Sequence, residues 1–441
     1  MTPSNPTESG GLPRIVVVDA PGGPHPSLYL PSLLANFDVE VLSLDVEHGA
    51  PRERRAGALA AVPEAGGRLT VLGLPAELPA ALSEVLRTGG AQGVVAFSER
   101  VVHAAQRVAW QAGLPANPPE VLDALQDKRA QRRLMRDAGL PVPRVRELHG
   151  MREVREAVRS AVFPAVLKPA VGMGSLATFR VEEAGDLPAL WETARALAHG
   201  DARVGHLRPT MLLEEELVGD PRRARDGLGD YLSVEGLMVD GELRALAVSD
   251  KLPLSRPFRE NGHILPALRP LEECEEAVAH VRRAHEALGI RFGATHTEVK
   301  LTADGPRVIE INGRVGGSVP EQLLLTAGYD LPLNLARTAV GLAPETTLVH
   351  HRWSGYLTPQ PPQGRHTVER TPTAAELADL PGVSTVHHVV RPGQDVDSAD
   401  GTASNLLRVV AVADTPEELL DLAARLSGPQ TFALRPCDPR K

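Results

Sequence analysis

The sequence predicts a chain of α/β and α+β domains, and three patterns carry that expectation. Short apolar, β-branched runs alternate with helical stretches over residues 1–118. Paired strand patterns around Asp-Gly turns dominate the middle of the chain. From about Gly341 onward, short strands mix with one amphipathic helix. A length of 441 residues accommodates two to four ordinary domains.

The elements follow in order. "RIVVVDA" (14–20) has the continuous apolar character of a buried parallel strand and ends in a Gly/Pro turn. "VEVLSLD", "RLTVLGL" and "AQGVVAF" repeat the pattern, with helical stretches such as "LPAALSEVLRTGG" between them. The glycines of "DAPGGPH" do not match G-x-G-x-x-G, so ordinary turn chemistry is the better reading there. Near residue 119 a second region begins. Asp127 can cap a helix with Ala130, Leu134 and Ala138 as its apolar face, and Gly139 suits the helix end. "FPAVLKPAVGMGSLATFRV" reads as strand, glycine loop, strand. "TMLLEEELVGD" is a further strand, and "YLSVEGLMVDGELRALAVSDK" is a strand pair with an Asp-Gly turn. The polar stretch 219–230 between them is expected to be a mobile loop. "EEAVAHVRRAHEALGI" is a helix with Val278, Val281 and Leu288 inward, and two strands around Asp304-Gly305 follow it. The expected domains are 1–118, 119–340 (subdomains 119–208 and 209–340) and 341–441.

Composition excludes several classes. A net charge of -9 leaves no basic footprint, so nucleic acid is not an expected partner. Cys274 and Cys437 are the only cysteines, too few for a disulfide framework or a thiolate metal cluster, and they suit a reducing cytoplasm. No apolar run nears the ~20 residues that span a bilayer, so no membrane association is expected. The opening "MTPSNPTESGGLP" lacks the basic and apolar regions of a signal peptide and reads as a loose tail.

"VIEINGRVGG" (308–317) holds the chemistry. As a strand, it places Glu310, Asn312 and Arg314 on one face amid the apolar Val308, Ile309 and Ile311. If the strands around Asp304-Gly305 form a hairpin, Glu298 faces Glu310, and like charges so paired repel. A divalent cation turns that repulsion into coordination, and Mg²⁺ takes one or two carboxylates with substrate phosphates and waters. Asn312 adds a neutral oxygen, while Arg314 suits a carboxylate or phosphate. Lys168, inside the apolar "AVLKPA", is costly to bury without an anion. The "GMGS" that follows offers backbone N–H groups for phosphates without being a Walker A loop. Lys128, in the first turn of its helix, reads equally well as a surface lysine.

These motifs, in this order, resemble the ATP-grasp enzymes over about residues 119–340. The resemblance implies a two-subdomain ATP-grasp fold that closes on ATP, behind an N-terminal α/β (pre-ATP-grasp) domain and before a small C-terminal α+β lid-like domain. It implies nucleotide contacts from Lys128, Lys168, the loop residues Gly172, Gly174 and Ser175, and Lys251. It also implies a hinge at "EEEL" (Glu214, Glu215 and Leu217 among them) and a ribose contact from Asp230. Glu298, Glu310 and Asn312 would hold Mg²⁺, or Mn²⁺ in its place. Leu176 and Ala177 depart from the loop pattern of many relatives, which implies a stiffer loop. "FRENGHILPA" resembles the E-x-G-H-x-x-P-A stretch of L-amino-acid ligases, the dipeptide synthetases, and places Glu260 and His263 near the amino-acid site. The implied activity is ADP-forming amide or peptide synthesis from a small-molecule carboxylate and an amine through an acyl phosphate. Arg314, His263 and Glu260 are then the catalytic candidates, and the assembly could be a homodimer. Two other readings compete: a carboxyphosphate or formyl-phosphate ATP-grasp enzyme, as in biotin carboxylase or purine biosynthesis, and a non-catalytic nucleotide-binding protein.

Overall fold

A computed structural model describes residues 11–437, apart from 173, 201–209, 257 and 346. Strands β1 (Arg14–Asp19), β2 (Asp38–Leu44), β3 (Arg68–Leu72) and β4 (Gly93–Ala96) are the four apolar runs of the N-terminal region. They form a parallel sheet in the order β3-β2-β1-β4 with helices between them, as the alternation predicts. The next sheet is antiparallel: β5 (Val145–Leu148), β6 (Ala165–Pro169), β7 (Phe179–Val181) and β8 (Met211–Glu215), ordered β5-β8-β6-β7. The glycine loop joins β6 to β7, as expected.

The third sheet organises the molecule. It contains β9 (Tyr231–Val239), β10 (Glu242–Lys251), β11 (Gly262–Leu265), β12 (Gly293–Thr302) and β13 (Gly305–Asn312). Asp240 and Gly241, at φ +48° and +89°, make the β9–β10 turn, the left-handed geometry that Asp-Gly favours. The sheet does not stop near residue 340. Strand β14 (Trp353–Leu357) pairs with β11, and β16 (Val383–Val389) and β18 (Leu407–Ala413) extend the order to β13-β12-β9-β10-β11-β14-β18-β16. Only β15 (Arg365–Arg370), β17 (Asp395–Asp397) and β19 (Ala433–Pro436) form a separate small sheet, so the C-terminal α+β unit is fused to the central one by backbone hydrogen bonds.

Period two sorts this long sheet into two faces. One face is apolar: Leu232, Val234, Val299, Leu301, Val308 and Ile311 pack under the helix Leu271–Leu288. Leu252, Ile264, Leu357, Leu407, Val409 and Ala411 continue that core under the helix Pro416–Ser427. The helix Leu271–Leu288 buries Val281 and Leu288 as predicted, with Val278 half-buried. The opposite face carries the polar side chains described below. Its upper end is closed by the helices Val319–Ala327 and Leu331–Ala339, whose apolar residues share one core with Ile15, Val17, Val95 and Phe97 of the N-terminal sheet.

Two expectations are corrected. The Lys128–Asp137 helix is capped by Asp127 and followed by Gly139 at φ +74°, but it buries Lys128, Gln131, Arg132 and Met135; of the expected face, Leu134 packs half-buried on the core, Ala130 is half-buried and Ala138 is exposed. Its partner explains the polar face. Strand β13 is the sheet edge, and edge strands present unpaired backbone groups. Gln131 donates to Ile311 O and accepts from Ile311 N, while Arg132 donates to Ile309 O. The stretch 219–230 is pinned rather than loose. Asp220 caps a short turn, Arg223 and Arg225 pair with Glu276 and Glu273, and Arg269 donates to Arg223 O and Gly229 O.

Gly93 is where the N-terminal sheet meets the helix Leu331–Ala339: a Cβ there would lie 2.5 Å from Ala339 O. Gly93→Val should therefore force the two units apart and lower stability by about 1–3 kcal/mol. Urea denaturation measures this; an unchanged midpoint would mean the contact is dispensable.

Candidate active site

The β12–β13 hairpin forms in the expected register: Glu298 lies opposite Glu310, and His296 opposite Asn312. A bulge next to Glu298 leaves Ile309 as the extra residue, which is why neighbouring Val308 and Ile311 both reach the core. The two carboxylates are already surrounded by cations. Lys128 Nζ lies 2.8 Å from Glu310 and also donates to Gly172 O at 3.2 Å. Glu298 has Lys251 Nζ at 3.8 Å and His296 Nε2 at 3.6 Å. Burial would raise the Glu298 pKa, but Lys251 and His296 outweigh it and hold the carboxyl far below its ordinary range. Asn312 turns its amide nitrogen to His296 O at 3.4 Å.

Two facing carboxylates plus an amide oxygen fit a hard divalent cation whose remaining ligands come from substrate and water. Among the described residues no three His, Cys, Asp or Glu side chains converge in metal-holding geometry, so a cation here would depend on such outside oxygens.

Across from this hairpin stand the lysine strand and its loop. Lys168 is buried, with Nζ 2.6 Å from Glu214 Oε2, and Arg132 Nε holds the other oxygen at 3.1 Å. Burial works against the Glu214 carboxylate, yet Arg132 and Lys168 prevail and its pKa falls to about 2. Glu214, expected at the hinge, is thus the buried counter-ion of Lys168. Glu215, bonded to Arg144, and the half-buried Leu217 carry the chain on toward β9. Asp230 accepts from Lys300 at 2.6 Å and from Gly219 N at 3.2 Å.

In the loop, Gly174 (φ +64°), Ser175 (φ +56°) and Ala177 (φ +54°) are all left-handed. That conformation strains the two non-glycines. Leu176 and Ala177 are buried in the first subdomain's core. Met173 lies outside the described residues. Gly174 O accepts from Thr402 N at 3.2 Å, so the C-terminal unit rests on this loop.

The third group lies beyond the carboxylate hairpin. Strand β13 ends at Asn312, so Arg314 follows the strand instead of sharing its face. Its Nε lies 3.1 Å from Glu99 Oε2, and Glu99 also holds His103 at 3.0 Å. Burial would raise Glu99, but His103, Arg314 and Lys128 bring its carboxyl down to about 2. Glu260 takes Lys251 Nζ at 2.9 Å and the Tyr231 hydroxyl at 3.3 Å. His263 is buried, hydrogen-bonded to Gln322 at 2.7 Å, and burial together with Lys251 lowers its pKa to about 3. A neutral, weakly basic ring results.

Four participants escaped the sequence reading: Glu99, His103, Glu235 and His296. Glu235 Oε1 is 2.8 Å from His296 Nδ1, and burial of His296 is outweighed by Glu235, so its pKa rises. The signals were faint: Glu99 and His103 at helical spacing, Ser233 and Glu235 at strand spacing. Gly316 is required by this pair, since a Cβ there would lie 2.7 Å from Glu235 Oε2 and 2.8 Å from His296 Nδ1.

The fold and site thus define an α/β–α+β chain in which two lysines and a carboxylate hairpin face each other. Residues 161–321 match the family model of the ATP-grasp domain. The chain carries an ATP-grasp domain and resembles carboxylate–amine ligases. It is 25% identical over 233 residues to alanine–anticapsin ligase of Bacillus subtilis (strain 168), covering 52% of this chain and 49% of that protein. It is 33% identical over 195 residues to carnosine synthase 1 of Gallus gallus, covering 43% and 20%. The chain thus matches only about half of the first relative's length and a fifth of the second's. The crystal structure of an L-amino acid ligase from Bacillus licheniformis has the same fold (TM-score 0.76, 20% identity, 96% of this chain and 99% of that one). No described helix is long and apolar enough to cross a membrane.

The Lys168–Glu214–Arg132 cluster makes stability pH-dependent. The folded pKa of Glu214, about 2, lies below the usual carboxylate value, so its contribution is present above about pH 4.5 and lost as pH falls toward 2. Glu214→Gln should strand two buried cations and cost about 3–5 kcal/mol at pH 7. It should also flatten the acid limb of the stability curve, read by denaturation at pH 7, 4 and 3. A variant with wild-type stability and an unchanged acid limb would show the cluster to be energetically silent.

Proposed function

We propose that this protein is an ATP-dependent, ADP-forming carboxylate–amine ligase that joins amino acids or amino-acid-like acids in an amide or peptide bond. The observation carrying the reading is the unbroken run of charged contacts that joins Lys168 and Lys128 to the Glu298–Glu310 pair, that pair to Lys251 and Glu260, and Lys128 to Arg314 through Glu99. Expected limits of 119–340 for the nucleotide-binding unit go with it, with the C-terminal unit resting on the phosphate loop.

The parts imply a sequence of events. ATP would lie between the two sheets, its adenine at the Glu215–Leu217 hinge and its ribose near Asp230. Lys128, Lys168 and the backbone of Gly172, Gly174 and Ser175 would take the phosphates. Lys251, buried among Glu260, Glu298 and the Tyr231 ring, keeps its charge, because those acids outweigh the effect of burial and raise its pKa. A divalent cation, held by Glu298, Glu310 and Asn312, would supply charge neutralisation at the transferring phosphoryl group. Arg314, braced by Glu99, would hold the substrate carboxylate in line, and such positioning supplies much of the rate. The carboxylate oxygen attacks the γ-phosphorus, ADP leaves, and an acyl phosphate results. An ammonium would then pass a proton to Glu260, and its nitrogen would attack the acyl carbon, losing a second proton to the departing phosphate. The carbon–oxygen bond to phosphate breaks, and inorganic phosphate leaves. Glu260 is the better group to orient that ammonium; His263, neutral and tied to Gln322, shapes the wall.

Phosphate release screened over pairs of acids and amines, with hydroxylamine added to trap acyl phosphate, tests the reading. Hydroxamate formation with amino acids supports it; bicarbonate-dependent hydrolysis alone would replace it with a carboxylase. Glu310→Gln is nearly isosteric and should keep the fold, yet lower Mg²⁺-dependent turnover by a factor on the order of a hundred. Near-normal turnover in that variant would refute the metal assignment. Arg314→Lys keeps the charge but loses the planar fork. Hydroxamate yield should collapse while ATP still binds by calorimetry, and a full yield would move the acid site elsewhere.

A further inference from the structure

The polar face of the long sheet extends past the site just described. Register carries it across three neighbouring strands: Lys251 lies opposite His263, His263 opposite Tyr356, and Tyr356 opposite Val410 of β18. Arg408, two residues before Val410, therefore stands on the same face. The neighbours Leu407 and Val409 point into the apolar core on the other side.

Tyr356 links the two ends. Its ring centroid lies 5.6 Å from that of His263, and a Cβ on the exposed Gly317 would meet its Cε1 at 3.6 Å. Burial raises the phenol above its ordinary pKa; Arg408 and Ser318, close to the hydroxyl, oppose that rise, and Glu260 adds to it. Arg408 itself is exposed. Its charged or titratable neighbours are Tyr356 and His388, and among the described residues it has no carboxylate partner within ion-pair distance. The contrast with the rest of the site is sharp. Lys128, Lys168, Lys251 and Arg314 each have an acid of the protein beside them.

We propose that Arg408, with Tyr356 and Ser318, forms a subsite for the far end of the acid substrate, and that this far end is anionic. The inference rests on the ligase reading above and names the class of acid: one with a second carboxylate or similar anion several bonds from the reacting carboxyl. Spacing supports the placement. Adjacent strands lie about 4.8 Å apart, so β18 is roughly 10 Å beyond His263, a gap a side chain and an elongated acid together can span. The exposed Gly317 and the short, half-buried Ser318 lie along this wall next to Tyr356. A planar guanidinium offers a paired set of donors to a carboxylate.

The test compares kcat/KM for hydroxylamine-trapped turnover with length-matched acids, glutamate against glutamine and norvaline. Wild type, Arg408→Gln, Arg408→Lys and Arg408→Glu are the proteins to use. A charged hydrogen-bonded contact contributes about 1.5–3 kcal/mol, so wild type should prefer glutamate by about tenfold or more. Arg408→Gln should bring the glutamate-to-glutamine ratio close to one, Arg408→Lys should restore part of it, and Arg408→Glu should shift preference to lysine as the acid. A structural role alone would lower all acids together and leave the ratio untouched. Wild type that uses the neutral acids as well as glutamate, or Arg408→Gln that keeps the preference, overturns the subsite but not the ligase. Absence of turnover with every acid overturns the ligase reading, and the subsite with it.

Discussion

Two glutamates placed opposite each other on a hairpin set the terms for the rest of the site. Side chains so paired have Cβ atoms about 5 Å apart, and their mutual repulsion has to be balanced within a partly buried cleft. The structure answers with cations from three directions: Lys128 from a helix, Lys251 from the adjoining strands, and His296 from the same strand as Glu298. Each of these brings its own requirement. Lys251 needs Glu260, and His296 needs Glu235. Removal of Cβ at Gly316 is what lets the backbone pass over the last pair. The polar face is therefore a chain of compensations that starts at Glu298 and Glu310.

The same logic explains the oddly polar helix that begins at Lys128. Strand β13 carries the glutamates and is also the sheet edge, so its outward backbone groups would be left unsatisfied in a buried position. Gln131 and Arg132 satisfy them, and Arg132 goes on to hold Glu214 against Lys168. One helix thus ties the edge of one sheet to the buried ion pair of the other. Burying a charge without its partner costs several kcal/mol, which makes this tie mutually dependent instead of additive.

Much was legible in the residues because it depended on local rules. The alternation of Glu310 and Asn312 and the Asp304-Gly305 turn announced the hairpin, but the register set at the turn would pair Glu298 with Ile309, and only the bulge brings Glu298 opposite Glu310. Lys168 stood out because a lysine inside an apolar run needs an anion. The Lys128 helix was misread in part because apolar periodicity assumes a core of hydrocarbon, and half of its buried face meets a backbone edge while Met135 and Leu134 meet the core. Arg314 was carried onto the strand face by extrapolating period two past the point where pairing stops. Glu99 and His103, more than two hundred positions before Arg314, gave no signal that joined them to it.

Sequence by itself determined the order of strands and helices, the carboxylate hairpin, the buried lysine and the resemblance that groups them. These rest on spacing and residue type, which a linear chain displays directly. Tertiary structure decided which acid neutralises which base, that the Glu214 side chain pairs with Lys168, and that β14, β18 and β16 extend the same sheet past residue 340. It also decided that Arg408 shares a face with His263. Those outcomes depend on contacts between segments far apart in the chain, where loop closure and packing choose the partners and residue type leaves many pairings open.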